Sequence, residues 1–412
     1  MGTIRRALSL SVVTGMCAHR IARMVLGKVC MRVLHCITGL SGDGAQGMLL
    51  RLAKELQRDG VESQVVNLGE ETKVVATFQE SNIAVRSLGL RPTGADALRG
   101  ALMVRKLIDE IKPSVMQGWM YHANFVLTTA AQRSRGQLPP VLWNIRRGLD
   151  DYRHRRLTTR AVIRGNAWLS RLPSRIIYCS RECRLQHEVF GFERKAGIVL
   201  YNGYDSSRFV PSEKLRVEFR ERNKLGDDEF VVGMVGRYDI AKGHTYLIQA
   251  FAKIAAIVPN ARLVLVGRGV DASNQQICAE LSSLGLRSRV LLLGEQEAIE
   301  RIYPGFDLYC SSSINEGFPN AIAEAMSCGV PSVVTDVGAS REIAEDPGIV
   351  VQSREPDELA KAMVSMATKS REELRARGQK GRERIVSRYA LPLVAKDYLR
   401  VYQDALRARN LG

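Results

Sequence analysis

Two glutamates stand eight positions apart in the run Glu316-Gly-Phe-Pro-Asn-Ala-Ile-Ala-Glu324. Upstream, Gly236-Arg-Tyr-Asp-Ile-Ala-Lys242-Gly243 carries two cations, Arg237 and Lys242, where a strand-like run gives way to a helix-like one. A carboxylate accepts paired hydrogen bonds from neighbouring hydroxyls. A helix amino end with cations beside it neutralises phosphate. The four side chains together suit a ligand that joins a sugar to a diphosphate.

Each piece also has a plainer reading. Arg237 and Lys242 alone describe a solvated loop pair, and a glutamate at a helix start merely complements the helix dipole. Glu316 precedes an expected helix start at Pro319, a favoured first-turn proline, and Gly317-Phe318-Pro319-Asn320 leaves room for backbone N–H groups to approach a ligand. Ala321, Ile322, Ala325 and Met326 surround Glu324 with apolar residues, so that glutamate belongs to a packed helix. A departing diphosphate gathers negative charge, so cations fixed beside Gly236 would lower the barrier to its release.

Length and charge bound what can hold these groups. A chain of 412 residues exceeds one ordinary core, so two domains are expected. The net charge of +17 favours an anionic partner: nucleic acid, an acidic lipid surface or a phosphorylated substrate. No zinc-finger, RNA-binding or homeodomain signature is present, which places nucleic acid last and leaves it outside the expected partners. The eight cysteines form no Cys-x-x-Cys pair and read as reduced, buried thiols. No apolar run is long enough for a membrane span. Residues 1–30 read as a leader or extended start, poorly ordered, before a first strand opening at Met31. Arg5-Arg6 and the run that follows imitate a short signal peptide, which suits a sugar-nucleotide ligand poorly.

From Met31 onward, strand-like and helix-like segments alternate. Strands are expected over 33–37, 63–68, 83–87, 114–117, 141–144 and 176–180, with helices over 45–58, 94–111 and 123–134. Residues 198–205 close the first half, and polar, charge-mixed residues 206–228 read as the linker and the approach to a new domain. The alternation restarts with strands over 230–235, 262–266, 290–293, 307–310 and 331–335 and helices over 245–257, 274–284 and, briefly, 298–303. Residues 370–407 read as one long helix able to cross back to the first half. Repeated units of this kind predict an α/β chain of two doubly wound, Rossmann-like domains facing each other across a deep cleft. The expected divisions are a first domain over 31–206, a second over 207–385 that carries the cation turn and the paired glutamates, and a crossing helix over 386–412.

Residues 146–175 interrupt the rhythm with nine arginines, from Arg146 to Arg175, against Asp150 and Asp151. They describe either a solvated face or a docking surface for anionic membrane or a polyprenyl-diphosphate-linked acceptor. Leu149, Trp168 and Leu169 interleave with them and would dip into that interface.

These motifs, in this order, resemble the retaining glycosyltransferases of family 4, the group 1 type with GT-B architecture, over nearly all of residues 31–390. The resemblance implies the acceptor side for the first domain and the nucleotide sugar for the second. It also implies that Arg237 and Lys242 bind the donor diphosphate, Glu316 holds the sugar near its reactive centre and Glu324 binds the ribose. Asn202-Gly-Tyr-Asp205 matches the family's Asn-Gly-Ile-Asp element, and Leu265-Val-Gly267-Arg-Gly269 matches a second glycine turn. His122 sits where the family commonly places a histidine reaching the donor sugar, although a lone histidine is more often structural. The first turn departs from the family's Gly-Gly-Ala-Glu and reads Asp43-Gly44-Ala-Gln46, which keeps Gly44 for phosphate approach and replaces a carboxyl by an amide.

The chain contains no Asp-x-Asp, and Arg237 and Lys242 can replace a divalent ion, so no metal and no other cofactor is expected. Retention follows the family expectation of front-face attack, with a donor phosphate oxygen taking the acceptor proton. The implied activity is sugar transfer from a nucleotide sugar, a UDP-sugar foremost, to a glycan or lipid-linked acceptor in cell-surface polysaccharide assembly. The implied place is the cytoplasm or the inner membrane face. Three rivals are a soluble synthase acting on a small metabolite or sugar phosphate, a catalytically silent scaffold, and a dinucleotide oxidoreductase suggested by Gly42-Asp-Gly44-Ala-Gln-Gly47. The last leaves the paired cations and carboxylates unexplained.

Overall fold

The computed structural model describes residues 31–40, 44–91, 94–132, 138–150, 152–345 and 350–410. Residues 1–30, together with Gly42 and Asp43 of the first glycine turn, lie outside them. Seven strands make the first sheet: β1 (Arg32–Ile37), β2 (Glu62–Asn67), β3 (Ala84–Ser87), β4 (Val115–Trp119), β5 (Val141–Ile145), β6 (Arg175–Tyr178) and β7 (Gly197–Val199). Their order is β3-β2-β1-β4-β5-β6-β7 and every pairing is parallel. Helices α1 (Gly44–Arg58), α2 (Lys73–Glu80), α3 (Gly94–Ile111) and α4 (Tyr121–Gln132) connect the first five strands. With both faces covered, strands such as Val33-Leu-His-Cys-Ile37 are buried throughout.

The second sheet repeats the plan with β8 (Phe230–Val235), β9 (Ala261–Val266), β10 (Val290–Leu292), β11 (Leu308–Ser311), β12 (Ser332–Thr335) and β13 (Val350–Val351). Its order, β10-β9-β8-β11-β12-β13, is again all parallel. In each sheet the winding reverses once, between β1 and β4 in the first and between β8 and β11 in the second. Loops leaving the carboxyl ends of such strand pairs turn to opposite faces and leave a crevice between them. The two crevices face one another, so the doubly wound pair expected from the sequence is the architecture observed.

Two expectations are corrected. Residues 206–228 are no simple linker, because they contain helix α7 (Glu213–Arg222), packed through Phe219 and Arg220. Its Arg216 and Arg220 both clamp Asp307, each at 2.6 Å, and Arg220 is 2% exposed. Arg220 also donates to the carbonyls of Gly305, Gly226 and Glu229. Its Arg220→Ala variant should therefore lose about 3 kcal/mol of stability, the cost of breaking a buried ion pair. Urea unfolding followed by circular dichroism measures this, and a loss under 1 kcal/mol would refute it.

The second correction concerns the long terminal helix. It divides into α13 (Arg371–Tyr389) and α14 (Leu391–Asn410), with Ala390 extended between them. Pro392 has no N–H for a continuous helix, and its ring would strike the carbonyl one turn back, whereas the first turn of a new helix accepts it. Ala390 instead pairs with Tyr204 as an isolated parallel bridge. From there α14 lies on the first sheet. Tyr398 Oη accepts from Asn144 and Arg146 at 2.9 Å, and Tyr402 Oη donates to Gln117 at 2.5 Å. No helix among the described residues is long and apolar enough to cross a membrane.

Candidate functional site

The cation turn leaves the carboxyl end of β8 and enters helix α8 (His244–Ile257) through a single 3-10 turn over Ile240–Lys242. Asp239 caps that turn. One of its oxygens accepts from the Ala241 N–H at 2.9 Å and the other from Arg237 at 3.0 Å. Two glycines permit the close weave here. A Cβ on Gly267 would lie 2.1 Å from the Gly236 carbonyl oxygen, and one on Gly243, at φ +66°, would lie 2.2 Å from the Ser312 carbonyl oxygen. His244, behind Lys242, is buried, and burial with the neighbouring lysine charge lowers it to about 4. It is therefore neutral at physiological pH and adds no charge to the turn.

The carboxylate segment leaves β11 and enters helix α10 (Asn320–Ser327). Pro319 is the cap residue and Asn320 the first helical one, so the helix begins one position later than the proline predicts. Lys242 Nζ meets Glu316 Oε1 at 2.5 Å, and Ser313 donates to the same oxygen at 2.8 Å. Glu324 accepts from Tyr303 Oη at 2.9 Å, and burial raises its carboxyl above the ordinary range. Phe318 packs among Tyr201, Tyr204 and Tyr389, at ring separations of 5.9 to 6.0 Å.

These groups line one interlobe cavity of about 800 Å³. Gly236, Arg237, Lys242, Gly267, Glu316, Gly317, Phe318, Asn320 and Glu324 reach it from the second lobe, and Gly44 from the first. The four side chains singled out by spacing therefore meet in one place. His122 does not line it, although its neighbour Met120 does. His122 Nε2 is buried without a hydrogen-bond partner among the described residues, and burial lowers the imidazole's basicity. Pro319 shapes the helix entry and is not among the lining residues.

The lobes touch where the sequence carried little signal. A Cβ on Gly317 would lie 2.5 Å from the Arg146 carbonyl oxygen and 3.0 Å from Arg147 Cα, so only glycine lets β11's loop meet the loop after β5. Asn320 Oδ1 accepts from Asn202 at 2.8 Å and from Tyr204 Oη at 2.7 Å. A Cβ on Gly44 would approach Asn320 Nδ2 to 3.3 Å, which places the amino ends of α1 and α10 beside each other at the cavity wall. Sequence reasoning overlooked Arg147, Ser313 and Arg268 at this site. Arg147 and Ser313 each follow the carboxyl end of a strand, the position from which a doubly wound sheet feeds its crevice.

Comparison with known proteins agrees with the two-lobed fold. A family profile described as Glycosyltransferase Family 4 matches residues 42–208, and one described as Glycosyl transferases group 1 matches residues 229–369. EpsF of Bacillus subtilis, which carries a glycosyltransferase name, is 24% identical over 328 residues, 74% of this chain and 79% of that protein. The lipopolysaccharide core biosynthesis mannosyltransferase LpsB of Rhizobium meliloti is 29% identical over 219 residues, 51% of this chain and 61% of that protein. Among solved structures, Anabaena HepE in complex with UDP superposes with a TM-score of 0.78 at 21% identity, covering 91% of this chain and all of HepE.

Proposed function

Because this chain belongs to the group 1 glycosyltransferases of family 4 and shares their GT-B architecture, we propose that it moves a sugar from a nucleoside diphosphate, a UDP-sugar foremost, to a glycan or lipid-linked acceptor. The observation that carries this reading is the convergence of Arg237, Lys242, Glu316 and Glu324 on one interlobe cavity. The HepE structure holding UDP supports the nucleotide, and LpsB, a lipopolysaccharide core enzyme, supports a cell-surface glycan as product.

In this reading the diphosphate lies against the glycine turn between Gly236 and Lys242, facing the amino end of α8. Lys242 already sits on Glu316, so an arriving phosphate offers it a second anion beside the first. Glu316 then holds sugar hydroxyls near the anomeric carbon, and Glu324 takes the ribose. Charge developing on the departing diphosphate is met by cations fixed before the reaction starts, which need no reorganisation. The acceptor enters from the first lobe and attacks on the face the diphosphate leaves, and a phosphate oxygen takes its proton. Configuration is thereby retained, and no side-chain nucleophile is required. Arg237 and Lys242 do the work that a divalent ion does elsewhere, so we propose metal-independent transfer.

A thermal-shift screen of nucleoside diphosphates in EDTA tests the donor site. Ligand at a hundred times its Kd should stabilise the protein by about 2.7 kcal/mol, a rise of several degrees in Tm. A rise seen only after magnesium or manganese is restored would contradict metal independence. No rise with any nucleoside diphosphate would contradict the site itself.

A further inference from the structure

The arginine-rich stretch separates into an inner and an outer set. Arg146 is 9% exposed and spent on the Leu200 carbonyl and Tyr398. Arg155 donates to the Gly148 carbonyl and covers the Tyr121 ring, and Arg160 covers Tyr152. These three hold the fold. Arg153, Arg156, Arg164, Arg171 and Arg175 are exposed.

Helix α5 (Leu157–Leu169) organises the outer set. Its inner face buries Ile163 and Asn166, Asn166 donating to the Tyr121 carbonyl at 3.0 Å. Gly165 lies where a Cβ would rest 3.4 Å from the Phe125 ring, which brings α5 close onto α4. Leu149 and Leu169, expected from the sequence to face outward, are instead packed against the core. The outward stripe is different. Leu157 is 77% exposed, Trp168 82% and Leu172 47%; positions 157, 161, 164 and 168 recur at helical spacing along one side of α5, and Leu172 lies in the turn just past its end. Exposed apolar side chains thus stand towards both ends of the face, with Arg164 between them and Arg153, Arg156, Arg171 and Arg175 in the segments flanking the helix.

We propose that this face is a docking surface for an anionic lipid bilayer, with Trp168, Leu157 and Leu172 entering the headgroup boundary and the outer arginines on lipid phosphates. A surface evolved only for solubility has no use for a tryptophan and two leucines in the open, and a polyanion in water would leave them wet. A bilayer satisfies both halves of the face, since its interface takes up apolar side chains and its charge attracts arginine. The segment that reaches α5 starts at Arg146 and Arg147, which line the cavity, so the docked face belongs to the first lobe. The inference stands on the surface alone and does not depend on the donor assignment.

Intrinsic fluorescence provides the test, because Trp119 and Trp143 are fully buried and Trp168 alone is exposed. The protein is titrated with phosphatidylcholine vesicles and with phosphatidylcholine–phosphatidylglycerol vesicles at physiological salt, with and without brominated acyl chains. Binding, a blue shift and bromine quenching are expected only with the anionic vesicles. Replacing Arg153, Arg156 and Arg164 together with glutamine should weaken binding about a hundredfold. Trp168→Ser should abolish the blue shift and weaken binding about tenfold. Both variants should keep the wild-type thermal shift with nucleoside diphosphate, which shows that they are folded and separates this surface from the donor site. Failure to bind anionic vesicles would overturn the proposal. So would binding that leaves Trp168 emission unshifted and unquenched, the behaviour of a charge-only surface suited to nucleic acid.

Discussion

Lys242→Ala should lower sugar transfer by about 10²- to 10³-fold while the protein remains folded. In the proposed mechanism the variant removes one preorganised charge beside the departing diphosphate, a loss of about 3–4 kcal/mol in known cases. The lysine is well placed to act this way. It ends the 3-10 turn that Asp239 caps, its ammonium is 2.5 Å from Glu316, and its side chain is only 24% exposed, so water competes poorly for it. Lys242→Ala and Glu316→Gln should also combine to less than the sum of their separate losses, because the two side chains touch and act as one unit. Steady-state rates of the two single variants and the double variant would show this. Full additivity would mean that the pair is not coupled during transfer.

The second large effect is steric. Gly317→Ala should reduce turnover by about a hundredfold with little loss of thermal stability. The added methyl would fall 2.5 Å from the Arg146 carbonyl oxygen and 3.0 Å from Arg147 Cα, both backbone atoms of the opposite lobe. Neither can swing aside as a side-chain tip would, so the lobes must part by a fraction of an ångström or more. Misplacement on that scale is enough to cost two orders of magnitude in a reaction that depends on alignment. Each lobe keeps its own sheet, so the melting temperature should barely move. Wild-type turnover in this variant would show that contact between the two loops is not needed for transfer.

Local signals in the sequence carried the second lobe well. The run Phe230–Val235 matches β8 to the residue, because a short apolar stretch bounded by charge on one side and glycine on the other has few alternatives. The cation turn and the paired glutamates were legible for a similar reason: each lies within one strand–turn–helix unit, where spacing alone fixes neighbours. Contacts between distant segments were not legible. Nothing near Asn320 announces that Asn202 and Tyr204 will bond to it, and nothing near Arg146 shows that it is buried under α14 while Arg153 faces outward. Helix α7 was missed because its surface is almost all charge. Its burial rests on Phe219 and on an arginine paired with a residue nearly ninety positions away. Pro392 was the overlooked signal for the break between α13 and α14.

Density for a nucleoside diphosphate bound in the presence of EDTA is the most direct examination of the diphosphate site. Both Arg237 and Lys242 should lie within hydrogen-bond reach of the phosphates, with the ribose beside Glu324 and no ion between protein and ligand. A nucleotide seated outside the interlobe cavity, or phosphates that touch neither cation, would contradict it.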